Sequence, residues 1–135
     1  MTTTTDKNQI ESFDSKCKDM CRRIALQLDA MADGTLYRDC FGNYCIARDP
    51  EPSWVQADAY EYFEDVYAVR YVIDQDLDYI GARILVACGG PNIWVDTCAQ
   101  QIELFWGLTH ETYRFGADAA DVIDDMFSEY YRMSR

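Results

Sequence analysis

Residues 80–106 read IGARILVACGGPNIWVDTCAQQIELFW. Three apolar runs lie in this stretch, at positions 83–88, 93–97 and 102–106. The Gly-Gly-Pro-Asn sequence at 89–92 is typical of a tight turn, because glycine permits positive φ and proline fixes its own φ. A run of β-branched and aromatic residues at 67–73 precedes the stretch. The pattern predicts an antiparallel meander of four strands, with 83–88 as an inner strand covered at least in part on its second face.

Helical periodicity flanks the predicted meander. Apolar residues recur at steps of three and four along residues 10–31, which predicts a long N-terminal helix from about residue 8 to Gly34. The same periodicity predicts a C-terminal helix over residues 117–133. The side of this helix opposite its apolar face is acidic and carries Asp118, Asp121, Asp125 and Glu129.

Shorter elements are expected between the first helix and the meander. Extended runs at 36–38 and 44–46 surround a Phe-Gly-Asn turn and predict a small hairpin. A middle helix is expected from Trp54 to about Asp65, because Ser53 and Gln56 have the spacing of a capping box.

The chain is expected to form one α+β domain, since 135 residues is a common length for a single core. Hydrophobic residues make up 49% of the chain, which argues against general disorder. Only residues 1–7, which are polar and rich in threonine, are expected to be disordered.

The net charge is −12 at pH 7. Proteins that bind nucleic acid neutralise phosphates with Lys and Arg, so direct nucleic acid binding is not expected and the partners should be basic or neutral. The charge is concentrated in residues 49–78, where nine acids against the single base Arg70 give −8. This segment is either a plain solvated surface or a surface that imitates the phosphates of a nucleic acid. The candidate partner-binding residues are Asp58, Glu61, Glu64, Asp65, Asp74, Asp76 and Asp78.

The sequence has no secretory signal and no apolar run long enough to span a membrane, so a cytoplasmic location without membrane contact is expected. The cysteines are then expected mainly as thiols. Cys17, Cys21, Cys40 and Cys45 offer four ligands for zinc, but the first two lie on the apolar stripe of the first helix. Packing is the favoured interpretation, and no metal or other cofactor is predicted.

Three further patterns have a functional and a plainer interpretation. The Asp74, Asp76 and Asp78 series resembles the start of a calcium loop but lacks its glycine and its final carboxylate, which favours a solvated loop. Asp96 and Glu103 on neighbouring strands are a conceivable acid and base pair for a hydrolase.

The only histidine, His110, lies in a predicted loop over residues 107–116, and no nucleophile elbow or phosphate loop accompanies it. Enzymatic activity is therefore not predicted. The alternative function is sequestration of a nucleotide or similar small molecule by aromatic residues beside the sheet, such as Trp94, Trp106 and Tyr79.

The central motif also carries a family resemblance. Residues 87–97, ACGGPNIWVDT, and residues 102–106, IELFW, resemble a group of small acidic proteins of phages and mobile elements in gut-type bacteria. Residues 60–66, YEYFEDV, are also similar, and the resemblance spans roughly residues 58–132. It implies an anti-defence function, as in anti-CRISPR and antirestriction proteins that occupy the DNA-binding surface of a nuclease.

The sequence and the resemblance together predict an acidic protein that inhibits a host defence nuclease, of Cas type or a restriction enzyme, through that nuclease's basic surface. The resemblance supplies no catalytic residue, and the oligomeric state stays open.

Overall fold

The structure is a computed structural model that describes residues 3–134, with side chains from residue 12 onward. It confirms the α+β class. The helices are α1 (Thr3–Asp33), α2 (Ala59–Tyr62) and α3 (Ala117–Ser134). The strands are β1 (Leu36–Arg38), β2 (Tyr44–Ile46), β3 (Val55–Gln56), β4 (Ala68–Ile73), β5 (Tyr79–Ala87), β6 (Asn92–Asp96), β7 (Gln101–Trp106) and β8 (Thr109–Arg114).

The main sheet is an antiparallel meander in the order β4-β5-β6-β7-β8. Its register places Ile84, Val95 and Ile102 side by side on three neighbouring strands, and all three are fully buried. Because side chains alternate between the two faces of a strand, this row defines the inner face of the sheet. Helices α1 and α3 pack on the inner face and against each other.

The outer face of the sheet carries polar and aromatic residues. Arg83 on β5 lies half-buried against the Trp94 ring of β6, with its guanidinium carbon 4.8 Å from the ring centroid. Strand β5 is therefore an inner strand with a partly covered second face, as the sequence predicts.

The small hairpin occurs at the predicted positions, but the predicted middle helix is wrong over most of its length. Val55 and Gln56 form β3, which pairs with the free edge of β1 and makes a second sheet in the order β2-β1-β3. The side-chain amide of Gln56 also donates to the Gly34 carbonyl at 2.7 Å. The helix is the single turn α2, capped not by Ser53 but by Asp58.

The predicted loop over residues 107–116 is also wrong, because most of it forms the edge strand β8. Thr109, Glu111 and Tyr113 are half-buried and alternate with exposed residues. The Thr109 hydroxyl donates to the Asp14 carboxylate of α1 at 3.0 Å, and the Cys21 thiol of α1 contacts the Glu111 carbonyl. Contacts with α1 therefore support a strand whose sequence is mostly polar.

Helix α1 begins at Thr3, before the predicted start near residue 8. Of the segment expected to be disordered, residues 1 and 2 lie outside the described residues. Across the described part of the chain, no helix combines the length and the apolar character needed to cross a membrane.

Gly81 occupies a position on β5 with no room for a side chain. A methyl group there would collide with the Cys98 sulphur and lie 2.9 Å from the Thr97 hydroxyl oxygen. That hydroxyl is buried and accepts a hydrogen bond from the Ala82 amide at 2.9 Å. A side chain at position 81 would therefore disturb a buried polar contact between β5 and the end of β6.

We expect Gly81→Ala to lower the free energy of unfolding by about 1–3 kcal/mol, the usual cost of overpacking. Urea unfolding followed by tryptophan fluorescence measures the loss. Cys98→Ala removes the nearest clashing atom from an exposed side chain. It should be nearly neutral alone and should recover part of the loss in the double variant. An equal loss with and without Cys98→Ala would contradict the steric explanation.

Candidate functional site

The acidic residues predicted from the sequence fall into three groups in the structure. Asp58 belongs to the first, the three residues Glu61, Glu64 and Asp65 to the second, and the three aspartates of the β4–β5 turn to the third. They do not form one helical stripe, because α2 has only four residues.

The first group surrounds a hollow between α2 and α3. Asp58, Asp125 and Glu129 all line this hollow, which has a volume of about 470 Å³. The Asp58 carboxylate caps α2 by accepting from the Glu61 amide at 2.9 Å. Glu129 pairs with Arg132 at 2.8 Å, so one base lies among the three carboxylates.

The second group lies around Arg38 of β1. The Arg38 guanidinium donates to Glu61 at 3.2 Å and lies over the Tyr44 ring, 5.0 Å from its centroid. The hydrogen bond to Glu61 is the largest cause that raises the pKa of Arg38. Glu64 and Asp65 are exposed and, among the described residues, form no salt bridge. Glu61 is therefore partly neutralised, while its two neighbours are open to solvent.

The third group is the tip of the β4–β5 hairpin. The Asp74 carboxylate accepts from the backbone amides of Asp76 and Asp78, at 2.9 and 3.0 Å. Carboxylate oxygens of the three aspartates lie within 4.8 Å of one another, and no other such group of acids, cysteines or histidine occurs in the described residues. Asp74 therefore organises the turn, and the Asp76 and Asp78 side chains are exposed.

Helix α3 connects the first and third groups. Tyr130 packs edge-on against Tyr60 of α2, with ring centroids 6.2 Å apart, and the Tyr131 hydroxyl donates to the Leu77 carbonyl of the hairpin tip at 2.6 Å. The exposed side of α3 carries four acids of its own. We call the combined set the α3 acidic surface: Asp58, Asp76, Asp78, Asp118, Asp121, Asp125 and Glu129.

The four acids of α3 were visible in the sequence as an acidic stripe but were not part of the predicted site. Their role depends on α2 and the hairpin tip packing beside the same helix. That proximity is set by tertiary contacts such as Phe63 with Phe127, whose ring centroids are 5.6 Å apart.

Asp96 and Glu103 lie together on the outer face of the sheet, but both face the same guanidinium. Arg83 donates to Glu103 at 2.8 Å, and its Nε lies 3.8 Å from Asp96. Glu103 also contacts His110 Nε2 at 3.1 Å, and the His110 ring stacks on Phe105 at 4.5 Å. These contacts form an ionic cluster across β5, β6, β7 and β8.

The three aromatic residues proposed for small-molecule binding do not come together. Trp94 lies on the outer face of the sheet, whereas Trp106 packs on Phe13 of α1, with ring centroids 5.1 Å apart. The Tyr79 hydroxyl donates to Asp124 of α3 at 2.6 Å, and burial is the main cause that raises its pKa. The arrangement therefore gives no shared aromatic pocket.

The four cysteines considered for zinc are also separated. Cys17 and Cys21 of α1 are fully buried in the core, whereas Cys40 is exposed in the β1–β2 hairpin and Cys45 is half-buried on β2. Burial, with a smaller contribution from the Glu111 charge, raises the pKa of Cys21 to about 11. Cys17 and Cys21 are core residues in the protonated form.

The Cys21 pKa gives a prediction for alkaline pH. The folded state keeps this thiol protonated to about pH 11, whereas the unfolded chain loses the proton near pH 9.0. Its stabilising contribution is complete below pH 9 and is lost between pH 9 and 11, by about 1–3 kcal/mol. Urea unfolding over this range should show a steeper decline for the wild type than for Cys21→Ala. Parallel declines would contradict the prediction.

Comparison of the chain with protein-family models, with curated proteins and with solved structures finds no match.

Proposed function

We propose that the protein inhibits a nucleic-acid-targeting defence enzyme of its host by binding that enzyme's basic surface through the α3 acidic surface. The observation that carries the proposal is that Asp58, Asp125 and Glu129 line one hollow between α2 and α3, while the acidic β4–β5 hairpin tip packs against the same helix. The site acts by binding, and no cofactor or catalytic residue is required.

The spacing of the carboxylates supports this proposal. Asp118, Asp121, Asp125 and Glu129 follow one another at steps of three and four residues. At a rise of 1.5 Å per residue, successive carboxylates are about 4.5–6 Å apart along the helix axis. Phosphates of one DNA strand repeat at roughly 3.4 Å along the duplex axis, which is the same order. The exposed side of α3 therefore offers a nuclease groove, which binds phosphates with Arg and Lys, a density of negative charge comparable to that of a DNA strand.

The rigidity of the region supports it further. The hairpin tip is held to α3 by the Tyr131 hydrogen bond, and α2 is held to α3 by edge-to-face aromatic contacts. Carboxylates on fixed elements lose little conformational freedom on binding, which lowers the entropic cost of a complex. The net charge of −12 adds long-range attraction to a basic partner and speeds its association.

The choice of a defence nuclease as the partner follows the family resemblance. A Cas-type nuclease or a restriction enzyme has the basic channel that the acidic surface requires, and both act in the host cytoplasm. Occupation of that channel would exclude the target nucleic acid by direct competition.

The first experiment identifies the partner and the mode of inhibition. The tagged protein is used to pull down proteins from a host that carries defence systems, and the captured nuclease is purified. Displacement of labelled nucleic acid from the nuclease is then measured by fluorescence anisotropy at several salt concentrations. We expect competitive displacement that weakens steeply with salt. Inhibition without displacement, or without salt dependence, would contradict binding by charge imitation.

The second experiment locates the binding surface. Asp58→Asn, Asp125→Asn and Glu129→Gln together remove three charges from the hollow between α2 and α3. The control variant removes three charges elsewhere, at the exposed residues Asp33, Asp49 and Glu51. We expect the first variant to bind the nuclease about 10- to 100-fold more weakly and the control to change affinity only slightly. Equal losses would show an effect of net charge and not of this surface.

A further inference from the structure

A second hollow lies at the other end of the main sheet, between α1 and the turn after β5. Its apolar lining consists of Phe13, Met20, Pro91 and Trp106, and its volume is about 480 Å³. Trp106 is on the helix-covered side of the sheet and yet 37% exposed. The hollow therefore leaves aromatic surface open to solvent at a point where α1 covers the sheet incompletely.

Two bases border this hollow. Lys16 and Arg23 both line it and are exposed, and neither forms a salt bridge or side-chain hydrogen bond within the described residues. Asp19 lies between them on the same side of α1 and reduces the local charge to +1. In a chain with twice as many acids as bases, an apolar hollow with two unpaired bases is suited to an acidic segment that carries an apolar side chain.

The chain itself contains such a segment at the β4–β5 hairpin tip. Leu77 is 50% exposed and is flanked by the exposed carboxylates of Asp76 and Asp78. Its φ is +66°, a conformation that costs a leucine more than it costs glycine or asparagine. Asp74 and Tyr131 hold the turn in place. The tip thus presents a leucine in a strained backbone conformation, between two charges opposite in sign to those of the hollow.

We propose that the hollow over α1 binds the hairpin tip of a second copy of the chain. Leu77 enters the apolar lining, and Asp76 and Asp78 pair with Lys16 and Arg23. The proposal goes beyond the proposed function and does not depend on it.

Geometry requires the contact to be intermolecular. The tip precedes β5 and the Pro91 turn follows it, and β5 has nine residues, so tip and hollow are about 30 Å apart in one molecule. A tip inserted in a neighbour's hollow leaves one tip and one hollow unused. Repeated head-to-tail contacts of this kind produce larger oligomers unless they close into a ring.

The net negative charge of each molecule repels a second copy. This repulsion acts over a longer distance than the direct ion pairs at the proposed contact. At physiological ionic strength the Debye length is about 8 Å, so repulsion between the bulk charges of two molecules is largely screened. Carboxylates in contact with Lys16 and Arg23 are screened much less. Association should therefore be observable at physiological salt, and it should strengthen when Asp19→Asn removes the competing acid from the hollow.

Charge reversal gives a direct test by sedimentation velocity over a range of protein concentrations. The hollow variant is Lys16→Glu with Arg23→Glu, and the tip variant is Asp76→Lys with Asp78→Lys. Each variant alone should associate at least about tenfold more weakly than the wild type. An equimolar mixture of the two should associate again, because each tip then meets a hollow of opposite charge.

Two control variants separate the contact from general charge effects and from misfolding. Lys18→Glu with Arg48→Glu makes the same charge change at exposed bases that do not line the hollow, and it should leave association unchanged. Leu77→Asn suits the positive φ better than leucine and should keep the fold, checked by circular dichroism, while weakening association at least about tenfold.

The proposal fails if the wild type sediments as a monomer at every concentration up to its solubility limit. It fails equally if either one-sided variant associates as tightly as the wild type, or if the mixture does not restore association. These measurements use the protein alone and leave Asp58, Asp125 and Glu129 unchanged. Failure of self-association is therefore distinguishable from failure of nuclease binding.

Discussion

The structure depends on one constraint, namely that both long helices cover the same face of the main sheet. Ile84, Val95 and Ile102 form a continuous buried row on that face, and α1 and α3 remove it from water. Burial of each such side chain stabilises the fold by about 1.5–3 kcal/mol, so the row is worth more than any single polar contact in the molecule. The same constraint fixes the rotation of α3. Its Ile123, Met126 and Phe127 must face the sheet, which turns its acids outward.

The acidic surface is thus a consequence of packing as much as of composition. α3 also orders its neighbours through polar contacts, since Asp124 binds the Tyr79 hydroxyl and Tyr131 binds the Leu77 carbonyl. These bonds hold the hairpin tip beside α3, while aromatic contacts hold α2 on the other side. Aspartates separated by about 18 residues in sequence, Asp58 and Asp76, are therefore attached to one rigid helix.

Periodicity was sufficient to predict the elements that bury an apolar face. α1, the first hairpin, β4 to β7 and α3 occur where alternation or helical spacing places them. Prediction from periodicity failed where tertiary contacts outweigh the local sequence pattern. β3 has only two residues and exists because β1 offers a free edge, and β8 reads Thr-His-Glu-Thr-Tyr-Arg, a polar strand supported by α1. The acids of the site were visible one by one, but their division into three groups depends on α2 being a single turn.

The positions of the basic residues also depend on this helix packing. Covering one face of the sheet with two helices places the acids on α3 and leaves Lys16 and Arg23 on the exposed side of α1, beside an apolar hollow. The hairpin tip belongs to both proposed interactions, because Asp76 and Asp78 are part of the α3 acidic surface and are also complementary to that hollow. A tip held by a neighbouring molecule cannot contact a nuclease at the same time. Self-association would therefore reduce the acidic surface available at high protein concentration, while dilution would expose all of it, so the two interactions are linked by mass action.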